Sequence, residues 1–199
     1  MLPASREEGV MNIGVVALAR ALALAGLLWT SSAYLAAQGR ALISNSGFTT
    51  DDDYDGWPDG WPRGAGLSWH PVADPGLSYV RLQTVTPGKS IFFFRSMQLS
   101  GTSASVDYFV QARATDIVAG PESWHDARIL FEFRDGNNAK VGSAPAPLIV
   151  SRGGSQDWKT FKASLAVPAG ATQLVVLAAL FNCESGSLDV GLIEVTESN

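Results

Sequence analysis

Residues 106–114 alternate. Val106, Tyr108, Val110, Ala112 and Ala114 fall on one side, and Asp107, Phe109, Gln111 and Arg113 on the other. A period of two marks an extended strand with one face turned to a core. The same pattern recurs down the chain. Ser78–Gln83 alternates. Ala127–Arg134 sets Ile129, Phe131 and Phe133 against Arg128, Leu130 and Glu132. Trp158–Val167 sets Phe161, Ala163, Leu165 and Val167 against Lys159 and Lys162. Ala41–Ser44 and Leu148–Val150 are shorter runs, and Leu188–Val195 is the last one. Ile91–Gln98 contains Phe92-Phe93-Phe94, which reads as core. Gln173–Phe181 is apolar on both faces, the mark of a central, covered strand. Turn residues separate the runs: Pro87-Gly88, Gly101, Asp135-Gly136-Asn137-Asn138, Pro168-Ala169-Gly170 and Glu184-Ser185-Gly186. Residues 49–68, rich in Asp, Gly and Pro, read as a loop. About nine strands without helical crossovers imply an all-β fold, an antiparallel β-sandwich or jelly roll.

Ahead of these strands lies a different composition. Arg20 precedes the apolar run Ala21–Trp29, and small residues follow at Ser31 and Ala33. This is a secretory signal pattern, with cleavage after Ala33 or Ala37. An uncleaved anchor is the alternative, because Ala21–Ala37 is near the short end for a membrane span. The chain thus divides into a leader, residues 1–37, and one domain, residues 38–199. Either form of leader places that domain in a secreted or extracytoplasmic setting. Arg6, Glu7, Glu8 and Arg20 cancel, so the whole formal charge of −5 belongs to the domain. An acidic domain with no basic stripe argues against nucleic acid and against anionic membrane surfaces as partners. Cys183 is the single cysteine, which excludes an internal disulfide and a multi-thiolate zinc site. It reads as a small buried hydrophobe.

One loop has the chemistry of a hard cation. Asp51, Asp53 and Asp55 alternate, Gly56 follows, and Asp59 is the ninth position counted from Asp51. Alternating carboxylates converge on calcium at the start of an EF-hand loop. Pro62 stands where that loop has its bidentate Glu, so the expectation is a stand-alone calcium clip. A solvated acidic loop is the alternative.

The order of several short motifs resembles a family. Asn45-Ser46-Gly47-Phe48-Thr49 and Pro58-Asp59-Gly60-Trp61 open the domain; Trp158, then Val167-Pro168-Ala169-Gly170, and Gly186-Ser187-Leu188-Asp189 close it. In this order the chain is similar to the CenC-type carbohydrate-binding modules (families 4, 9 and 22), which are galactose-binding-like jelly rolls. The resemblance spans residues 42–195. It implies a non-catalytic domain that binds carbohydrate, with Trp158 in the core and a structural calcium between the first and last strands. Thr49 stands where the family has Glu, and Asp189-Val190 where it often has Asp-Asp. Asp189 remains a candidate calcium ligand, or else a turn cap.

Sugars offer C–H faces to aromatic rings and hydroxyls to planar polar groups. Trp57, Trp61, Trp69 and Trp124 fall in loops or at strand ends, with Trp61 reading as structural. Trp124-His125, between two strands, is the favoured ligand edge, with Trp69 and Trp57 as further candidates. Gln111, Arg113, Arg128 and Glu132 point away from the apolar face of their strands and are the candidate hydroxyl partners; a plain solvated surface is the alternative. His70 and His125 have no metal-ligand spacing. Nothing in the sequence sets Glu122, Asp126 and Glu132 across one bond as an acid–base pair. The expected function is non-catalytic binding of a poly- or oligosaccharide with structural calcium. The alternatives are an adhesion domain making protein contacts, or a glycan-active hydrolase or lyase on the same fold.

Overall fold

The computed structural model describes residues 39–71 and 77–198. The leader lies outside the described residues. Among the described residues ten strands form two sheets, and every pairing between them is antiparallel. They are β1 (Arg40–Ala41), β2 (Leu67–His70), β3 (Tyr79–Gln83), β4 (Ile91–Gln98), β5 (Ser105–Val118), β6 (Ala127–Arg134), β7 (Leu148–Ser151), β8 (Gly154–Ala166), β9 (Gln173–Leu180) and β10 (Ser185–Ser198). The larger sheet runs β2-β3-β10-β5-β8, with β1 also on β10; the smaller runs β4-β9-β6-β7. The protein is an all-β jelly-roll sandwich, with one strand more than the alternation alone marks. The extra strand, β2, is only four residues long and follows Pro62, Gly64 and Gly66, so neither length nor composition signals it.

The core lies between the sheets. Val106, Val110, Leu188 and Ile193 from the larger sheet meet Ile129, Leu174, Val176 and Leu180 from the smaller, all fully buried. Each such side chain contributes about 1.5–3 kcal/mol through the area it removes from water. Cys183 is buried among them, and desolvation pushes its thiol up to about 11. The Phe92-Phe93-Phe94 run is only partly core. Phe93 points inward at 3% exposure, while Phe92 and Phe94 point out at 50% and 52%. The alternation of the strand overrides the apolar run.

The segment before β2 is a plug. Phe48 and Trp61 are buried against each other at 4.6 Å and against Phe93 at 6.4 and 5.6 Å. Asn45 closes the loop, accepting from the N–H groups of Thr49 and Thr50 and donating to the carbonyls of Thr50 and Asp59. The Trp61 indole donates to the Asn45 carbonyl.

Candidate functional site

The two outer sheet faces must be described separately, because the residues expected at one ligand edge divide between them. Gln111 and Arg113 lie on β5, in the larger sheet; Arg128 and Glu132 lie on β6, in the smaller. They face opposite ways across the sandwich and cannot share a ligand.

Three of the loop tryptophan and histidine candidates are structural. Trp57 is buried, its indole donating to the Trp61 carbonyl at 2.9 Å. Trp69 is half-buried against the core and donates to the Phe48 carbonyl at 2.9 Å. His125 is buried; its Nδ1 accepts the Glu122 N–H at 3.3 Å and its Nε2 lies 3.2 Å from the Asn182 amide. Engaged at both ring nitrogens, it fastens the β5–β6 loop rather than facing a ligand. Trp124 is exposed at 48%, edge-on to His125 at 4.1 Å and 6.4 Å from Phe181.

On the smaller sheet the polar groups are already paired. Arg128 forks onto the buried Asp126, with Nη2 2.6 Å from Oδ2, and also reaches the Trp124 carbonyl. Glu132 is bound by Arg134 at 2.6 Å and by Lys140. Burial alone would raise its pKa, but the bonds from Lys140 and Arg134 outweigh it and hold the carboxyl below its ordinary value. An anchored carboxylate of this kind does not hold a proton to deliver as a general acid.

The outer face of the larger sheet carries a denser constellation. Asp189 on β10 lies opposite Arg81 on β3 and opposite Arg113 on β5. Its side chain is 1% exposed and accepts from Arg81 Nε (2.7 Å), Arg81 Nη2 (2.9 Å) and Arg113 Nε (2.7 Å). Both carboxylate oxygens accept from guanidiniums, so Asp189, expected as a calcium ligand or a turn cap, serves here as the counter-charge of two arginines. The Arg113 guanidinium lies 4.9 Å from the Trp158 ring and 5.2 Å from the Tyr79 ring; Arg81 lies 5.6 Å from Tyr79. Tyr79 and Trp158 meet edge-to-face at 5.9 Å, and His70 stacks on Tyr79 at 4.6 Å. Trp158, expected in the core, thus stands half-buried on the outer face.

Irregular pairing aims these side chains. The β10–β5 register shifts between Val190 and Leu192, and the β5–β8 register shifts between Ala112 and Ala114, flanking Arg113. Such bulges re-aim side chains at sites. Gly191 is the extra residue on β10. A Cβ there would come within 2.2 Å of Leu77 and 3.1 Å of Trp158, so the glycine lets both settle on the strand. Burial and the nearby Arg81 charge lower the pKa of His70 from 6.5, against the pull of Asp189. Further along β5, β8 and β10, Phe109, Lys162, Glu194 and Thr196 line a groove of about 500 Å³.

The aspartate loop is a third place. Carboxylate oxygens of Asp51, Asp53 and Asp59 lie within 4.8 Å of one another. Asp55 does not join them: its side chain pairs with Arg63 at 2.6 Å, and its N–H donates to Asp51 and Asp53. That N–H works to lower the Asp53 pKa, but desolvation and the charges of Asp55 and Asp59 raise it overall.

No protein-family model and no curated protein matches the sequence. Solved structures match the fold. The enzymatically active domain of bacteriophage CBA120 tailspike protein 4 superposes at a TM-score of 0.59 and 12% identity, over 79% of this chain and 21% of that one. This chain thus spans about a fifth of the tailspike domain. TmCBM61, solved in complex with β-1,4-galactotriose, superposes at a TM-score of 0.50 and 11% identity, over 80% of this chain and 99% of that one. The β-sandwich fold is shared with both structures. At these identities the likeness is one of fold. The pairing of Arg81 and Asp189 had no sequence signal, since the partners are 108 residues apart. Tyr79 and Arg81 did share a visible alternation with Val80 and Leu82.

Proposed function

We propose that this chain is an exported, non-catalytic carbohydrate-binding module of CenC-like type, holding a poly- or oligosaccharide on the outer face of its larger sheet. The observation that carries this reading is the Tyr79–Trp158 pair beside Arg81 and Arg113. Rings contribute apolar contact to sugar C–H faces, and guanidiniums donate to hydroxyls. The fold shared with TmCBM61, which was solved with a galactotriose, supports it. Trp158→Ala should abolish retardation of the protein in gels containing its glycan, with the melting temperature showing that the domain still folds. Trp124→Ala should leave retardation unchanged. Loss with Trp124→Ala alone would move the site to the smaller sheet.

Calcium belongs to the proposal as a structural clamp rather than a sugar ligand. Asp51, Asp53 and Asp59 would hold it, since a convergent set of carboxylate oxygens suits a hard cation. Chelation should then lower the melting temperature, and Asp53→Asn should remove the difference. Export would follow from the leader, residues 1–37, and N-terminal sequencing of the secreted product checks it.

A second reading, an adhesion domain making protein contacts, is favoured by the exposed Phe92 and Phe94. Binding to polysaccharide separates the two readings.

A further inference from the structure

The chemistry around Asp189 is unbalanced. Two guanidiniums share one carboxylate, so the cluster keeps a net positive charge within an acidic domain. Asp189 accepts three of their N–H groups. Each guanidinium carries five and accepts nothing. The remaining N–H groups find no side-chain or backbone acceptor among the described residues. The arginines are 29% and 31% exposed, so these donors can reach a ligand, while Asp189 at 1% cannot.

A neutral sugar suits such a place poorly. Each hydroxyl is donor and acceptor at once, and the one carboxylate at hand is already spent. The rings also hold the cations. Tyr79 has His70 stacked on it and both guanidiniums close by, and Trp158 has Arg113. What the cluster offers is a pair of forked donors, held in place by aromatic rings and a buried counter-charge. That is the recognition chemistry of an oxyanion.

We infer that the glycan held on this face carries an oxyanion, a sugar carboxylate or a sulfate ester, bound by Arg81 and Arg113 with Tyr79 and Trp158 flanking it. This rests on the carbohydrate reading and narrows its ligand class. Asp189 is a positioning residue in this scheme: it orients both guanidiniums and offsets their mutual repulsion. The groove at Phe109, Lys162 and Glu194 lies four residues along β5 from Arg113, about 13 Å away. A chain polymer could therefore place a neighbouring sugar there.

The test uses the full chain and matched polymers: polygalacturonate against its fully methyl-esterified form, and a sulfated galactan against the unsulfated galactan. Binding to at least one anionic member should be tenfold or more tighter than to its neutral partner, a difference of about 1.4 kcal/mol. The two pairs distinguish carboxylate from sulfate. That binding should weaken several-fold as NaCl rises from about 50 to about 500 mM, because screening acts on exposed charges. Arg113→Lys, which keeps the charge but loses the fork, should weaken anionic binding with the fold intact. Equal or tighter binding to the neutral polymers, or binding insensitive to salt, would overturn the oxyanion and leave the carbohydrate reading standing. Binding to none of the four polymers, nor to a wider neutral panel, would overturn both.

Discussion

The two outer faces of this sandwich are built on opposite plans. On the larger sheet, polar and aromatic side chains from β2, β3, β10, β5 and β8 hold one another: His70 on Tyr79, Tyr79 against Trp158, and two arginines on Asp189. On the smaller sheet, Phe92 and Phe94 stand half-exposed beside Leu177 and Ala179, and Arg128 and Arg134 pair with acids on their own strand or the turn before it. A cross-strand network is position-specific, since each member is oriented by a partner from another part of the chain. An apolar face makes weaker demands on register. The difference identifies the larger sheet as the place where precise recognition can be built.

The largest effects should come from testing which groups are committed. Phe93→Ala should cost about 3–5 kcal/mol in chemical denaturation, as a core phenylalanine does. Phe92→Ala and Phe94→Ala should cost about 1 kcal/mol or less each. A Phe92 effect as large as that of Phe93 would mean that the smaller face is covered in solution, and the contrast between the faces would fail.

Next in size is Gly191→Ala. The added methyl must displace Leu77 and crowd Trp158, at about 1–3 kcal/mol. It should also weaken glycan binding, because the ring moves. Unchanged stability and binding would show that Trp158 is loosely held and that the larger face resembles the smaller.

The smallest effects are read by pH. His70, on the larger sheet, has a lowered pKa, so below its ordinary 6.5 the unfolded chain takes up a proton that the folded chain refuses. Stability from this group is full above pH 6.5 and is lost as pH falls from there toward the folded pKa. Glu132, on the smaller sheet, also has a lowered pKa. Its contribution is full above its ordinary 4.5 and is lost as pH falls through the folded value. Melting temperature followed against pH should show two windows. His70→Gln should remove the higher one; Glu132→Gln should shrink the lower, which Asp107 and Glu197 on the larger sheet share. An oxyanion bound beside Arg81 should in addition raise the His70 pKa, which NMR titration reads directly.

Much of the fold was legible because alternation is a local property. β3, β4, β6, β7 and β9 lie within a residue of the runs the sequence marks at 78–83, 91–98, 127–134, 148–150 and 173–181. β2 was not legible, being too short for a period to emerge. The site was legible only in fragments. Gln111 and Arg113 were visible as outward residues of β5, but the neighbours of Arg113, namely Tyr79, Arg81 and Trp158, arrive through pairings with β10 and β8 that no local pattern encodes. The motif around Trp158 points to the core, yet a register shift beside it turns it outward. Arg128 and Glu132 seemed equivalent to Gln111 and Arg113 because alternation tells which way a side chain faces within its own sheet. It does not tell which sheet the strand joins.

The position of β10 has a consequence for how the molecule comes into being. The latest of the ten strands lies between β3 and β5 in the larger sheet and also receives β1. Ile193 donates to the Ser46 carbonyl, and Leu42 to that of Val195, so the plug that seals the core is fastened to this strand as well. Until residues 185–198 are available, β2 and β3 have no hydrogen-bonded link to β5 and β8, and Arg81 and Arg113 lack the carboxylate they share. Pairings this distant in sequence make for slow assembly. Without that strand the larger sheet falls into two separate pairs, β2–β3 and β5–β8; its insertion joins them, anchors the plug and completes the arginine pair.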